Sequence, residues 1–358
     1  MSPPVPRVET QLVLGIWHHM TMRDKKNESK DLSYYTQGVR KRDKRVLAKT
    51  ITLIESARYE HQKLARAVVN ALLPYTGKAV RLGISGVPGA GKSTFIETLG
   101  TRLVNQGHLV AVLAVDPSSQ RSGGSVLADK TRMEKLSTSE NAFISPSPSG
   151  GTLGGVARKT RETMLVCEAA GYDVMIVETV GVGQSETTVA SMVDFFLLLM
   201  IAGAGDELQG IKKGVLEVAD AIAINKADGD NVKRANMARK QIEAALHYLM
   251  PASPTWTPRA LTCSSLNPED DGIKTIWSTV LEHRETVSNT GELESNRRNQ
   301  AVDWMWSLVE EGLKARFYKH PEIKSRLEEI TRHVAAGELA PTVAADELLF
   351  SLDNKVIV

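Results

Sequence analysis

An α/β fold with a mostly parallel central sheet, flanked by N- and C-terminal helical extensions, is what this sequence predicts. Three observations carry it. Short apolar runs recur at residues 80–85, 110–115, 174–178, 195–201, 220–225 and 259–263, and they alternate with stretches of helical spacing. Continuous apolar strands between helices belong to a parallel sheet covered on both faces, with its ligand at the C-terminal strand ends. The first run leads straight into a glycine-rich turn, Gly86-Val87-Pro88-Gly89-Ala90-Gly91-Lys92-Ser93-Thr94. Outside residues 79–287 the strand pattern stops and helical periodicity takes over.

In chain order, residues 1–43 are expected to form a poorly ordered arm, with early prolines, a short apolar patch at 12–17 and then the patternless stretch MRDKKNESKD. The arm lacks a positive n-region and a long apolar h-region, so secretion is not expected. The cytoplasm is the expected compartment, with the mitochondrial matrix as the alternative if the arm is a presequence. The basic run VRKRDKR at 39–45 reads as a solvated helix start or as a contact for an acidic partner. Residues 44–78 form a helical extension: Leu47, Ile51 and Ile54, then Leu64, Ala67, Val68, Ala71 and Leu72, fall at helical intervals, and Pro74 and Gly77 punctuate the end.

The nucleotide domain spans 79–287, and 288–358 is a C-terminal helical arm. Gly291 and Asn296 introduce its first helix, whose apolar stripe is Val302, Met305, Trp306, Val309, Leu313 and Phe317, ending at Pro321. Trp304 and Trp306 cannot share one helix face. Either one of them meets another element or subunit, or both pack within the monomer. A further helical segment covers 321–350, broken near Gly337 and Pro341.

Composition narrows the function classes. A chain of 358 residues with a formal net charge of +2 has length for about two domains and is not a general nucleic-acid binder. Its two cysteines, Cys167 and Cys263, build no disulfide framework and fit a reducing compartment. The longest apolar run, 195–202, is far too short to span a bilayer and reads as a buried strand. His18-His19, the only adjacent histidine pair, has neither cysteine nearby, so Cys/His metal delivery is not expected.

The chemistry begins at the glycine-rich turn, which fits the phosphate loop G-x-x-x-x-G-K-[ST] on a strand-loop-helix corner. There, backbone N–H groups converge on phosphate oxygens, Lys92 neutralises the β/γ-phosphates and the Ser93 hydroxyl ligates magnesium. Asp116, at the end of the second strand, opens a Gly/Ser-rich loop that runs to Asp129. Both are magnesium candidates, with a surface charge or helix cap as the alternative for Asp129. Glu178 closes the next strand and Gly181 follows three residues later, the spacing of an acid that holds magnesium's water and a glycine that senses the γ-phosphate. No glutamine directly follows Gly181; Gln184 is displaced, so the group that activates water stays open and slow turnover without a partner is expected.

Asn225-Lys226-Ala227-Asp228 ends the strand 220–224, about 130 residues after the phosphate loop. The Asp228 carboxylate accepts two hydrogen bonds, which guanine N1–H and N2–H₂ supply, whereas adenine presents an unprotonated N1. This selects guanine. Ser264, Ser265 and Leu266, after the next strand, take the place of the loop whose backbone N–H meets guanine O6.

Together GVPGAGKST, AVDPSS, ADKTRM, ETVGVGQSE, GAGDELQGIKKG and INKADGD resemble the ArgK/MeaB family of P-loop GTPases, chaperones of adenosylcobalamin-dependent methylmalonyl-CoA mutase. The resemblance runs from about residue 46 to the C-terminal helices. It implies GTP/GDP and Mg²⁺ as ligands, with Lys92, Glu178 and Asp116 in the catalytic machinery, and Ser93, Asp116, Asp129 and Glu178 at the metal. It further implies a C-terminal arm that makes a homodimer, and a GTP-driven gate on loading, protection and reactivation of the mutase, adenosylcobalamin being met only through that partner. Residues 203–214, with Asp206, Gln209 and Lys212, read from residues alone as a flexible charged loop; the resemblance makes them the switch that couples nucleotide to partner. The rival is a P-loop ATPase or kinase linked to lysine/arginine/ornithine transport, which would not need Asn225 and Asp228.

Overall fold

The computed structural model describes residues 31–115, 133–146, 153–179, 185–202, 213–248, 251–267 and 270–353. They form two compact units, one up to Leu281 and one from Glu282 onward. Among them no helix is long and apolar enough to cross a membrane.

Among the described residues the first unit begins with helices α1 (Leu32–Arg40), α2 (Lys44–Glu55) and α3 (Tyr59–Leu72). Asp31 caps α1 by accepting from Tyr34 N–H at 2.8 Å, and Asp43 caps α2 through Arg45 N–H at 2.8 Å and Val46 N–H at 3.2 Å. α1 lies inside the arm expected to be poorly ordered. It has two buried residues, Tyr35 and Val39, too few to leave a periodic signature in nine residues. Gly38 lets α1 pass α2, since a Cβ there would press on the Val46 side chain at 2.5–2.7 Å. The charged residues of the basic run are exposed and lead into α2, and three of them also touch the chain: Arg40 stacks on the Tyr75 ring at 4.0 Å, Arg42 Nε donates to Ala170 O at 3.4 Å and Lys44 Nζ to Ser139 O at 3.1 Å.

The sheet has seven strands in the order β3-β2-β4-β1-β5-β6-β7, every pair parallel. They are β1 (Val80–Gly86), β2 (Val110–Val115), β3 (Ala142–Ser145), β4 (Val174–Thr179), β5 (Phe195–Ile201), β6 (Ala221–Asn225) and β7 (Arg259–Thr262). Six match the apolar runs of the sequence. β3 has no counterpart among those runs: it is four residues long, sits at the sheet edge and is only partly buried, so its apolar signal is weak.

The intervening helices are α4 (Lys92–Asn105), α5 (Glu134–Thr138), α6 (Leu153–Ala169), α7 (Ser185–Ala190), α8 (Lys213–Glu217) and α9 (Val232–Leu246). α10 (Asp271–Asn289) contains the residues at which the two units divide.

Three aspartates at the N-terminal strand ends set the register by one repeated bond. Asp173 accepts from Leu109 N–H at 2.7 Å, Asp194 from Arg81 N–H at 3.0 Å and Asp220 from Phe196 N–H at 2.7 Å. Each satisfies a backbone donor that the neighbouring strand would otherwise leave unpaired. One sheet face packs Met175, Val177, Phe196 and Leu198 with α2, α3 and α6; the other packs Ile84, Ile176, Leu197 and Leu199 with α4 and the start of α10. Both faces are therefore covered, and the C-terminal strand ends are left to the ligand.

The second unit contains α11 (Glu292–Lys319), α12 (Pro321–Ala335) and α13 (Pro341–Asp353). Gly291, with φ 74°, stands at the N-cap of α11. Arg326 ties α12 to α13 through Ser351 Oγ at 2.9 Å and Glu347 Oε2 at 3.0 Å. On α11, Trp304 is half-buried and Trp306 exposed, so the two tryptophans do face apart.

Candidate nucleotide site

The phosphate loop joins β1 to α4. At the strand end Gly86 has φ 152°, and a Cβ there would run into the Leu199 carbonyl of β5. Gly91, with φ 87°, is the N-cap of α4, and a Cβ would come within 2.7 Å of Asn225 Nδ2. Glycine is thus demanded at both ends of the turn by close approach and by backbone conformation. Val87, Pro88, Gly89 and Ala90 form the turn itself, closed by Ala90 N–H on Val87 O at 3.1 Å. α4 then starts with Lys92, Ser93 and Thr94, so its free N–H groups point into the turn.

Lys92 Nζ donates to Gly86 O at 2.7 Å and Val87 O at 3.4 Å, spanning its own loop. Burial pushes its pKa down, while the carboxylates of Glu178 and Glu186 pull it back up. A cation held this way gains when phosphate oxygens replace the carbonyls. Ser93 Oγ donates to Glu178 Oε1 at 3.2 Å. Glu178 is buried near the end of β4, in register with Ile84 of β1 and Ala114 of β2, so the sheet itself aims it at the loop. Thr179, next along, donates to Ser85 Oγ at 2.8 Å and ties the two strand ends together.

The second half of the site gathers around Asn225, the last residue of β6 and fully buried. Its Nδ2 donates to Ala90 O at 2.7 Å. Its Oδ1 accepts from Ser265 Oγ at 2.7 Å, Ser265 N–H at 3.1 Å and Cys263 Sγ at 3.5 Å. One amide therefore joins the phosphate loop to the loop after β7. Lys226 follows in the left-handed region, φ 58°, its carbonyl accepting from Asn231 Nδ2 at 2.7 Å. Ala227 N–H donates to Cys263 O at 3.0 Å. Asp228 Oδ2 accepts from Ser264 Oγ, which fixes one carboxylate oxygen. Leu266 is exposed.

The chain thus brings together Gly86 to Thr94, Glu178, Asn225, Asp228, Ser264 and Ser265, drawn from four strand ends. Asp116, Asp129, Gln184, Asp206, Gln209 and Lys212 lie outside the described residues. The sequence motifs do not include Thr98 and Asp270, which hold the loop after β7 from behind: Thr98 Oγ1 donates to Ser265 O at 2.7 Å, and Asp270 Oδ1 accepts from Ser264 N–H at 3.1 Å. The one local signal is the acid just before α10, the position of a helix cap.

The profile described as "Methylmalonyl Co-A mutase-associated GTPase MeaB" matches residues 47–322. The GTPase ArgK of Escherichia coli is 47% identical over 310 residues, covering 87% of this chain and 93% of that protein. The mouse protein named "Methylmalonic aciduria type A homolog, mitochondrial" is 44% identical over 348 residues, covering 94% of this chain and 83% of that protein. A crystal structure of a protein named "LAO/AO transport system kinase" superposes with a TM-score of 0.73 at 40% identity, over 91% of this chain and 99% of that one. With strand-end motifs in place and the profile spanning most of its length, the chain belongs to the MeaB family of methylmalonyl-CoA mutase-associated GTPases, and it is a P-loop GTPase.

Proposed function

We propose that this protein is a GTP-driven chaperone of an adenosylcobalamin-dependent acyl-CoA mutase, methylmalonyl-CoA mutase or a close relative, gating loading, protection and reactivation of its cofactor. The observation that carries the nucleotide half is Asn225, whose amide binds both the phosphate loop and the loop after β7. Through it, guanine recognition at Asp228 and phosphate binding at Lys92 belong to one site. The family description and the mouse relative's name support the mutase half. Adenosylcobalamin is met only through that partner.

In this reading Ser93 and Glu178 bring a hydroxyl and a carboxylate oxygen together, the hard-donor pair that Mg²⁺ takes beside phosphate oxygens and water. Asp116 and Asp129 complete the metal's surroundings, and Asp206, Gln209 and Lys212 carry the nucleotide state to the mutase. Mg²⁺, when bound, neutralises charge on the phosphates; Lys92 holds them and Glu178 orients the metal's ligands. The homodimer forms on α11, where Val302, Met305, Trp306, Val309 and Leu313 are 41–59% exposed along one stripe. The compartment is the cytoplasm, or the mitochondrial matrix if residues 1–43 are a presequence.

Single-turnover GTP hydrolysis with and without the mutase tests the proposal. Acceleration by the mutase is expected, and equal rates would leave a binding-only adaptor. The name carried by the superposable transport system kinase favours a second reading, an ATPase or kinase tied to lysine/arginine/ornithine transport. Tighter binding of ATP than GTP would select it.

A further inference from the structure

Threonines inside helices return their hydroxyls to the carbonyl one turn back, and Thr50, Thr52, Thr160, Thr275 and Thr279 all do so. Thr98, in the second turn of α4, sends its hydroxyl out of the helix to Ser265 O at 2.7 Å. One turn further along, Arg102 Nη1 donates to Asp270 O at 3.3 Å. The Asp270 carboxylate then turns back on the same loop. Its Oδ1 accepts from Ser264 N–H at 3.1 Å and from Ile273 N–H at 3.2 Å, the second being the N-cap bond of α10. Gly272 keeps this corner tight, since a Cβ there would meet Asp270 Oδ1 at 2.7 Å as well as the Thr262 carbonyl.

We propose that Thr98 and Asp270 are positioning residues for guanine recognition. The helix that begins at Lys92 and Ser93 thereby sets both ends of the nucleotide site: its first turn presents the phosphate contacts, and its second and third turns hold the loop that reads the base. This rests on the assignment of Ser264, Ser265 and Leu266 to the base. A backbone N–H that must meet a base oxygen weakens steeply with misalignment. Residues touching no nucleotide therefore govern affinity for guanine while leaving the phosphate chemistry alone.

The experiment measures GDP affinity and the single-turnover rate at saturating GTP on the full chain. Thr98→Val removes the hydroxyl at nearly constant shape, and GDP affinity is expected to fall about fivefold with the saturated rate held within about twofold. Asp270→Ala is expected to lose about tenfold or more, and Asp270→Asn, which keeps the Oδ1 acceptor, to recover to within about threefold of wild type. The inference is overturned if Thr98→Val and Asp270→Ala both keep GDP affinity within twofold, if the rate falls in step with affinity, or if Asp270→Asn is as impaired as Asp270→Ala. Wild-type protein that binds ADP as tightly as GDP would instead remove the base-loop assignment, so the two failures are distinguishable.

Discussion

Replacing Asn225 with alanine removes a buried amide that joins the two halves of the site. The substitution deletes a donor to Ala90 O at 2.7 Å and an acceptor for Ser265 Oγ at 2.7 Å and Ser265 N–H at 3.1 Å. The serine hydroxyl can turn to another acceptor, but the Ala90 carbonyl and Ser265 N–H cannot. Each such backbone group, left buried without a partner, costs about 1–3 kcal/mol. Ala90, Asn225 and Ser265 are buried without nucleotide as well, but there the two loops can part and admit water to the orphaned groups, whereas a bound nucleotide spans both loops and holds them closed. The loss should therefore fall mainly on binding, about 2–4 kcal/mol, or about 30- to 1,000-fold in GDP affinity. The nucleotide-free protein should lose only about 1–2 kcal/mol of unfolding free energy. Titration with GDP, run beside urea unfolding of the empty protein, separates the two. GDP affinity within threefold of wild type, or a stability loss as large as the binding loss, would refute the reasoning.

Asp228→Asn keeps the shape of the side chain but replaces one acceptor oxygen with a donor, so the preference for GTP over ATP should drop by about tenfold or more in competition binding, with phosphate affinity retained. Gly86→Ala places a methyl against the Leu199 carbonyl at φ 152°; urea unfolding should show a loss of about 2 kcal/mol or more, and a neutral result would contradict the close approach. Trp306→Glu puts a charge on the exposed stripe of α11; light scattering is expected to report a dimer for the wild type and a monomer for the variant, and a variant as dimeric as the wild type would move the interface elsewhere.

The sheet and the nucleotide motifs were legible because they are local and repetitive. Strands such as Phe195–Ile201, buried on both faces, are continuous apolar runs, and the glycines of the phosphate loop answer to backbone conformations within the loop itself. Ala142–Ser145 escaped because an edge strand of four residues needs little apolar character. α1 escaped because it buries only Tyr35 and Val39; the basic run that ends it is exposed and leads into α2, as a solvated helix start should, although Arg40, Arg42 and Lys44 also meet Tyr75, Ala170 and Ser139. Thr98 and Asp270 were invisible for another reason. Thr98 meets Ser265 across 167 residues of sequence, and its target is a backbone carbonyl, which has no side-chain identity to recognise. Motifs report which groups touch a ligand; the groups that hold those groups in place are set by the packing of distant elements.

A nucleotide switch acts on a partner only if the partner binds its two states with different affinity. The most direct measurement is therefore the affinity of methylmalonyl-CoA mutase for this protein loaded with a non-hydrolysable GTP analogue and, separately, with GDP. A difference of about tenfold or more between the two is expected, within the usual range of coupling free energies. Equal affinities would contradict it, because GTP hydrolysis would then have nothing to gate.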